Sequence, residues 1–126
     1  MVVVGRALEL AHKVNAEYGL SDRDSLTDEY VMRIYPYTTA EEDENGYLWY
    51  MITTDEWGFR FMSVLSYYIF PDKRNAKTFI KLQKRIESIA KKEKVKYIEQ
   101  GSYLNPKVND ILVKFGYKNA VLRKEL

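Results

Sequence analysis

A chain of 126 residues, 46% hydrophobic and 30% charged, has the size and balance of one globular domain. It contains no cysteine, which excludes disulfides, a thiolate nucleophile and cysteine-ligated zinc. The formal net charge of +2 conceals an uneven distribution: residues 1–71 hold five basic and twelve acidic side chains, whereas residues 72–96 hold ten and three.

The opening MVVVGRALELAH is too short to cross a bilayer and lacks the basic region and cleavage site of a secretory signal, so a soluble, cytoplasmic protein is expected. Residues 2–18 read as a helix, because Val3, Ala7, Leu10, Ala11, Val14 and Tyr18 fall on one stripe and Gly19 is placed to stop it. His12, the single histidine, has no second ligand near it in sequence and is expected at the surface. Ser25 with Asp28 three residues on resembles an N-cap pairing, which predicts a short helix over 26–34 ended by Pro36; alternation over 31–37 leaves a strand as the alternative. EEDENG, residues 41–46, reads as a solvated acidic turn ending in Asn-Gly. Its carboxylates lack the spacing of a calcium loop, and no metal site is expected.

Residues 47–54 predict a strand, 55–58 a turn, and 59–70 either one strand or two broken near Ser63 to Ser66. Trp49 and Trp57 are assigned to core or rim. A basic loop after Pro71 leads into a helix over 76–93. Phe79, Leu82, Ile86, Ile89 and Ala90 recur at helical spacing there, leaving Lys81, Lys84, Arg85, Lys91 and Lys92 to solvent. Residues 95–100 form the next strand, parallel to and beside 64–70 because a helical crossover joins them. Pro106 opens a helix whose Val108, Ile111, Leu112 and Phe115 make one face, Gly116 stops it, and 118–125 form a last strand. Leu82, Ile86 and Ile89 are expected to pack with Val108, Ile111 and Phe115. The fold class is α/β, a mixed sheet with helices on both faces, in a single domain over 1–126.

Two stretches carry a resemblance to a known family. Tyr68, Ile69, Phe70, Pro71 and Arg74 match the strand end and loop of the GNAT superfamily of N-acetyltransferases; Asn105, Val108, Ile111, Leu112, Gly116 and Tyr117 match its downstream spacing. The resemblance runs from about residue 64 to the C-terminus and more loosely before it. It implies a GNAT-like sheet with the first strand missing and a cleft where strands 64–70 and 95–100 splay apart. It also implies acetyl-CoA as cofactor, its pyrophosphate on the backbone of Arg74, Asn75, Ala76, Lys77, Thr78 and Phe79, with Asn105 contributing. Two departures bear on activity: Lys77 and Phe79 stand where the family has loop glycines, and Leu112 stands where it often has the tyrosine that protonates the leaving thiolate. Backbone must approach phosphate closely, which is why glycines recur in such loops. Acetyl transfer also needs a base, and Glu99 at a strand end is the candidate, with Tyr103 as a substitute acid.

Two functional classes follow. One is a GNAT-fold protein with an eroded loop, non-catalytic and acting by binding, with a protein partner or self-association and no cofactor. It resembles the small degenerate GNAT-like proteins of tailed bacteriophages, which implies a virion or accessory protein in the host cytoplasm or the particle. The other is an active acyl-CoA-dependent N-acetyltransferase of an amine, protein lysine or N-terminus. Residues 72–96 read first as a solvated helix face and second as a surface for an anionic partner; the acidic and basic blocks could also attract each other, within one molecule or between copies. Nucleic acid ranks below both classes, because the Lys-rich helix lacks interleaved aromatic residues. No membrane partner is expected.

Overall fold

A computed structural model describes residues 2–18, 27–100, 110, 112–117 and 123–125. The elements are α1 (Val4–Tyr18), α2 (Asp28–Ile34), β1 (Thr39–Glu42), β2 (Gly46–Thr54), β3 (Arg60–Ile69), α3 (Ala76–Lys92), β4 (Tyr97–Glu99) and β5 (Arg123–Glu125), with 3-10 turns at Tyr35–Tyr37 and Pro71–Lys73. Residues 110 and 112–114 are also helical. The strands form one mixed sheet in the order β1-β2-β3-β4-β5, antiparallel throughout except between β3 and β4. Among the described residues no helix is long and apolar enough to cross a membrane.

Strand alternation divides the core into two. Tyr47 and Trp49 of β2 face one side of the sheet, where Ala7, Leu10, Ala11 and Val14 of α1 and Val31 of α2 bury against them. Trp49 donates its indole N–H to Thr38 Oγ1 at 2.7 Å, so the largest buried ring keeps its polar atom satisfied. Leu48 and Tyr50 face the other side, where Ile86 and Ala90 of α3 pack with Met62, Ile98 and Leu112. Each fully buried Leu or Ile here contributes roughly 1.5–3 kcal/mol.

One residue sets the phase of β3. Trp49 pairs with Ser66 and Tyr50 with Val64, so Leu65 is an extra residue, a bulge. Before it Met62 and Val64 belong to the α3 side; after it Tyr67 does, while Leu65, Tyr68 and Phe70 join the α1 side. The strand is therefore continuous, with its irregularity inside the Ser63–Ser66 stretch where a break was one reading.

Both described helix C-termini on the α3 side close with paired 6→1 and 5→2 hydrogen bonds. After α3, Val95 N donates to Ala90 O and Lys94 N to Lys91 O, both at 3.2 Å, with Lys94 at φ 55. Later, Tyr117 N donates to Leu112 O at 3.3 Å and Gly116 N to Val113 O at 3.0 Å, with Gly116 at φ 96, so the glycine stop is where the sequence places it.

Several expectations need correction. Val3 is 69% exposed and Val2 is buried instead, because α1 starts at Val4 and Val2, ahead of the helix, donates its N–H to Ala40 O at 2.9 Å. Thr27, not Ser25, caps α2, accepting from Tyr30 N at 3.2 Å; the strand alternative over 31–37 fails. Glu41 and Glu42 are not in a solvated turn but in β1, which pairs with β2. The parallel ladder joins β4 to Phe61, Met62 and Ser63 of β3, upstream of the 64–70 segment expected. Arg85 is not left to solvent but bonds Glu41 and Asp43. Gly19, Ser25, Pro106, Val108 and Ile111 lie outside the described residues.

Candidate functional site

The loop from β3 to α3 is where the resemblance places a phosphate. Pro71–Lys73 makes one 3-10 turn with Lys73 N donating to Phe70 O at 2.8 Å. Arg74 and Asn75 are extended, and Asn75 caps α3: its Oδ1 accepts from Thr78 N at 2.9 Å and from Thr78 Oγ1 at 3.2 Å. The helix thus satisfies one of its own free N–H groups and leaves those of Ala76 and Lys77 ahead of it. Its first turn holds no acid, and Lys77 places a cation at the positive end of the helix dipole.

Arg74 turns back toward the body of the protein. Its Nε donates to Ile69 O at 2.8 Å, its guanidinium forms a two-pronged pair with Glu17, one arm at 2.8 Å, and it lies 5.1 Å from the Tyr68 ring centroid. These hydrogen bonds hold the Glu17 carboxyl below its usual range, and burial pushes the Tyr68 phenol up. Arg74 therefore ties α1 to the end of β3.

Phe79 does not enter the loop. It packs against the α3-side core with its ring edge-on to Tyr67, centroids 6.3 Å apart. Ala76 and Lys77 are exposed and Thr78 half-buried. Arg74 to Phe79 are contiguous, but Glu99 is not among them. It ends β4 opposite Ser63, six residues upstream of Ile69, or roughly 20 Å along the strand. Past the Ser63–Glu99 pair β3 runs on to Ile69 with no parallel partner among the described residues. Leu112, in the acid position, is fully buried hydrocarbon beneath α3. Tyr103 and Asn105 lie outside the described residues.

A pocket of about 250 Å³ lies elsewhere, between the first turns of α3 and the β1–β2 turn. Thr78, Lys81 and Arg85 form its helix wall, Asp43 and Gly46 the turn, and Leu48 and Leu82 line it with hydrocarbon. Arg85 Nη1 to Asp43 Oδ2 at 3.0 Å links the two walls, and Glu41 takes the other arm of the guanidinium. Gly46 sits at φ 157, and a Cβ there would meet Tyr68 O at 2.0 Å.

Residue spacing did not single out one buried polar group. Gln100 Nε2 donates to Gln83 Oε1 at 2.8 Å and to the Tyr117 hydroxyl at 2.5 Å. Burial pushes the Tyr117 phenol up to about 12, so it stays a neutral hydroxyl at physiological pH. The available signal was Gln83 itself, which stands on the apolar stripe of α3 four residues after Phe79 and three before Ile86. His12 is exposed as expected, with Nε2 at 2.5 Å from Asp28 Oδ1. No group of three or more His, Cys, Asp or Glu able to hold a metal ion occurs among the described residues. Compared with models of known families and with curated proteins, the chain matches none.

Proposed function

We propose that this is a GNAT-fold protein that retains the family's cleft in outline and acts by binding a protein partner or a second copy of itself, without acyl transfer. The observation that carries the reading is the loop ahead of α3. Asn75 caps the helix, Arg74 is committed to Glu17 and Ile69, and Lys77 and Phe79 replace the glycines that bring backbone to phosphate. Leu112 adds to it, since a buried hydrocarbon donates no proton to a leaving thiolate. The helical crossover between parallel β3 and β4 supports the fold assignment.

The second reading, an active N-acetyltransferase, draws on one observation. Glu99 stands where the described parallel ladder ends, and between it and α3 lies the run of β3 that pairs with β2 but has no parallel partner among the described residues. A base at one end of such a gap and helix N–H groups at the other suit an extended acyl-CoA. Isothermal titration with acetyl-CoA and an amine-acetylation assay separate the two. The binding reading expects no saturable heat with millimolar ligand and no turnover. Micromolar affinity with turnover abolished by Glu99→Gln would establish the enzyme instead.

A further inference from the structure

Among the described residues the lysines of α3 have no counter-ions. Lys81, Lys84, Lys91 and Lys92 are exposed and spaced by three and four residues through Ser88, so they stand in one row about 16 Å long on the face opposite Ile86 and Ala90. No carboxylate pairs with any of them among the described residues. The acids at hand are engaged elsewhere: Glu87 with Lys124, and Glu93 with Arg60 at 2.9 Å. A solvated helix face gains from acids placed four residues from its lysines, whereas a row of one sign repels itself.

Just beyond the C-terminal end of α3, the chain at Glu93 and Lys96 meets a turn that displays two aromatic rings. Asp55 holds the turn with five hydrogen bonds: its N–H to Phe59 O, its carbonyl from Gly58 N, its Oδ1 from Trp57 N and Phe59 N, and its Oδ2 from the Tyr97 hydroxyl. On this frame Trp57 is 72% exposed and Phe59 49%. Lys96 N donates to Arg60 O at 2.7 Å and its ammonium lies 5.6 Å from the Phe59 ring centroid, while the Arg60–Glu93 pair joins the turn to the end of α3. Glu56 is the one carboxylate of the turn left without a partner among the described residues.

We propose that this face binds single-stranded nucleic acid, with phosphates along the lysine row and bases stacked on Trp57 and Phe59. A chain of phosphates supplies the regular negative charge the row lacks, and every base has a flat face for an exposed ring. An acidic peptide would meet the lysines equally well but brings no obligatory partner for two rings. The inference uses neither the loop ahead of α3 nor Glu99, so it stands apart from the reading of the acyl-CoA cleft.

The test is fluorescence anisotropy of a labelled oligo(dT) titrated with the full chain, alongside quenching of tryptophan emission. Four phosphate contacts predict a slope of log K against log salt of about −2.8, or about a 50-fold loss of affinity between roughly 50 and 200 mM salt. Trp57→Ala should weaken binding by about 5- to 150-fold, Lys84→Gln with Lys91→Gln should flatten the salt slope, and Glu56→Gln should tighten binding. All these positions are exposed or part-exposed, and thermal melts of each variant check that it folds. Absence of binding at low salt overturns the proposal. So does oligo(dT) binding indifferent to Trp57→Ala, or a polyglutamate peptide that binds as tightly and with the same salt slope, which would make the face an acidic-protein surface.

Discussion

Ile86 and Ile80 offer the same substitution on two faces of one helix. Ile86 is fully buried among Leu48, Met62, Ile98 and Leu112, while Ile80, six residues earlier in α3, is 40% exposed. Ile→Ala removes three carbons, worth about 2.4 kcal/mol of transfer free energy at about 0.8 kcal/mol each when fully buried. The hole adds on the order of 1–2 kcal/mol if the surroundings do not collapse, and the higher helix propensity of alanine returns about 0.4 kcal/mol. Ile86→Ala should therefore cost about 3–4 kcal/mol and lower the melting temperature by about 10 °C or more for a domain of this size. Ile80→Ala, with a little over half of that surface covered and the same propensity gain, should cost about 1 kcal/mol or less. Urea melts of both variants read the difference directly. A loss below about 0.5 kcal/mol at Ile86, or equal losses at the two positions, would show that α3 does not present this face to the sheet.

Three further outcomes follow from local geometry. Lys94→Gly should stabilise the protein by about 1 kcal/mol or less, because Lys94 holds φ 55 at the close of α3, and a destabilised variant in denaturant melts would contradict that reading. Gly46→Ala should cost at least about 1–3 kcal/mol, since its Cβ would lie 2.0 Å from Tyr68 O; an unchanged urea midpoint would refute the close approach. The Glu17 and Glu42 carboxyls are held below their usual range by Arg74 and Arg6, so their contribution is present above the ordinary carboxyl pKa and is lost as pH falls through the lowered folded values. Urea midpoints measured across the acid range should fall less steeply for Glu17→Gln than for the parent, and parallel profiles would remove Arg74–Glu17 from the account.

Helix α3 was legible because its signal is local: an apolar stripe from Phe79 to Ala90 and a crossover that dictates parallel neighbours, although the Asn75 cap went unread. Strand β1 was not, because Glu41 and Glu42 read as water-facing acids until the fold brings Arg85 and Arg6 to them from 44 and 36 residues away. The same distance hides the exposed rings beside the basic helix, since Trp57 and Phe59 precede α3 by an entire strand. In the loop ahead of α3 the position of the residues was legible, but their hydrogen-bond commitments were not. Nothing in the spacing of Arg74 discloses that Glu17 has first claim on it. The parallel register was missed by several residues because hydrophobicity is similar along all of β3, and only the bulge and the shortness of β4 decide where pairing stops.

Leu65 shows what one residue of strand length can hide. The hairpin partner β2 keeps strict alternation, so the extra residue in β3 acts as a frameshift in the sequence pattern of the two cores. Upstream of it even-numbered side chains serve the α3 core, and downstream odd-numbered ones do. Removing Leu65 would leave a regular ladder with the same partners, from Gly46 with Ile69 to Tyr50 with Val64, so each remaining side chain would keep its face. What such a deletion takes away is the local bend and extra twist of the strand and the Leu65 side chain packed on the α1 side.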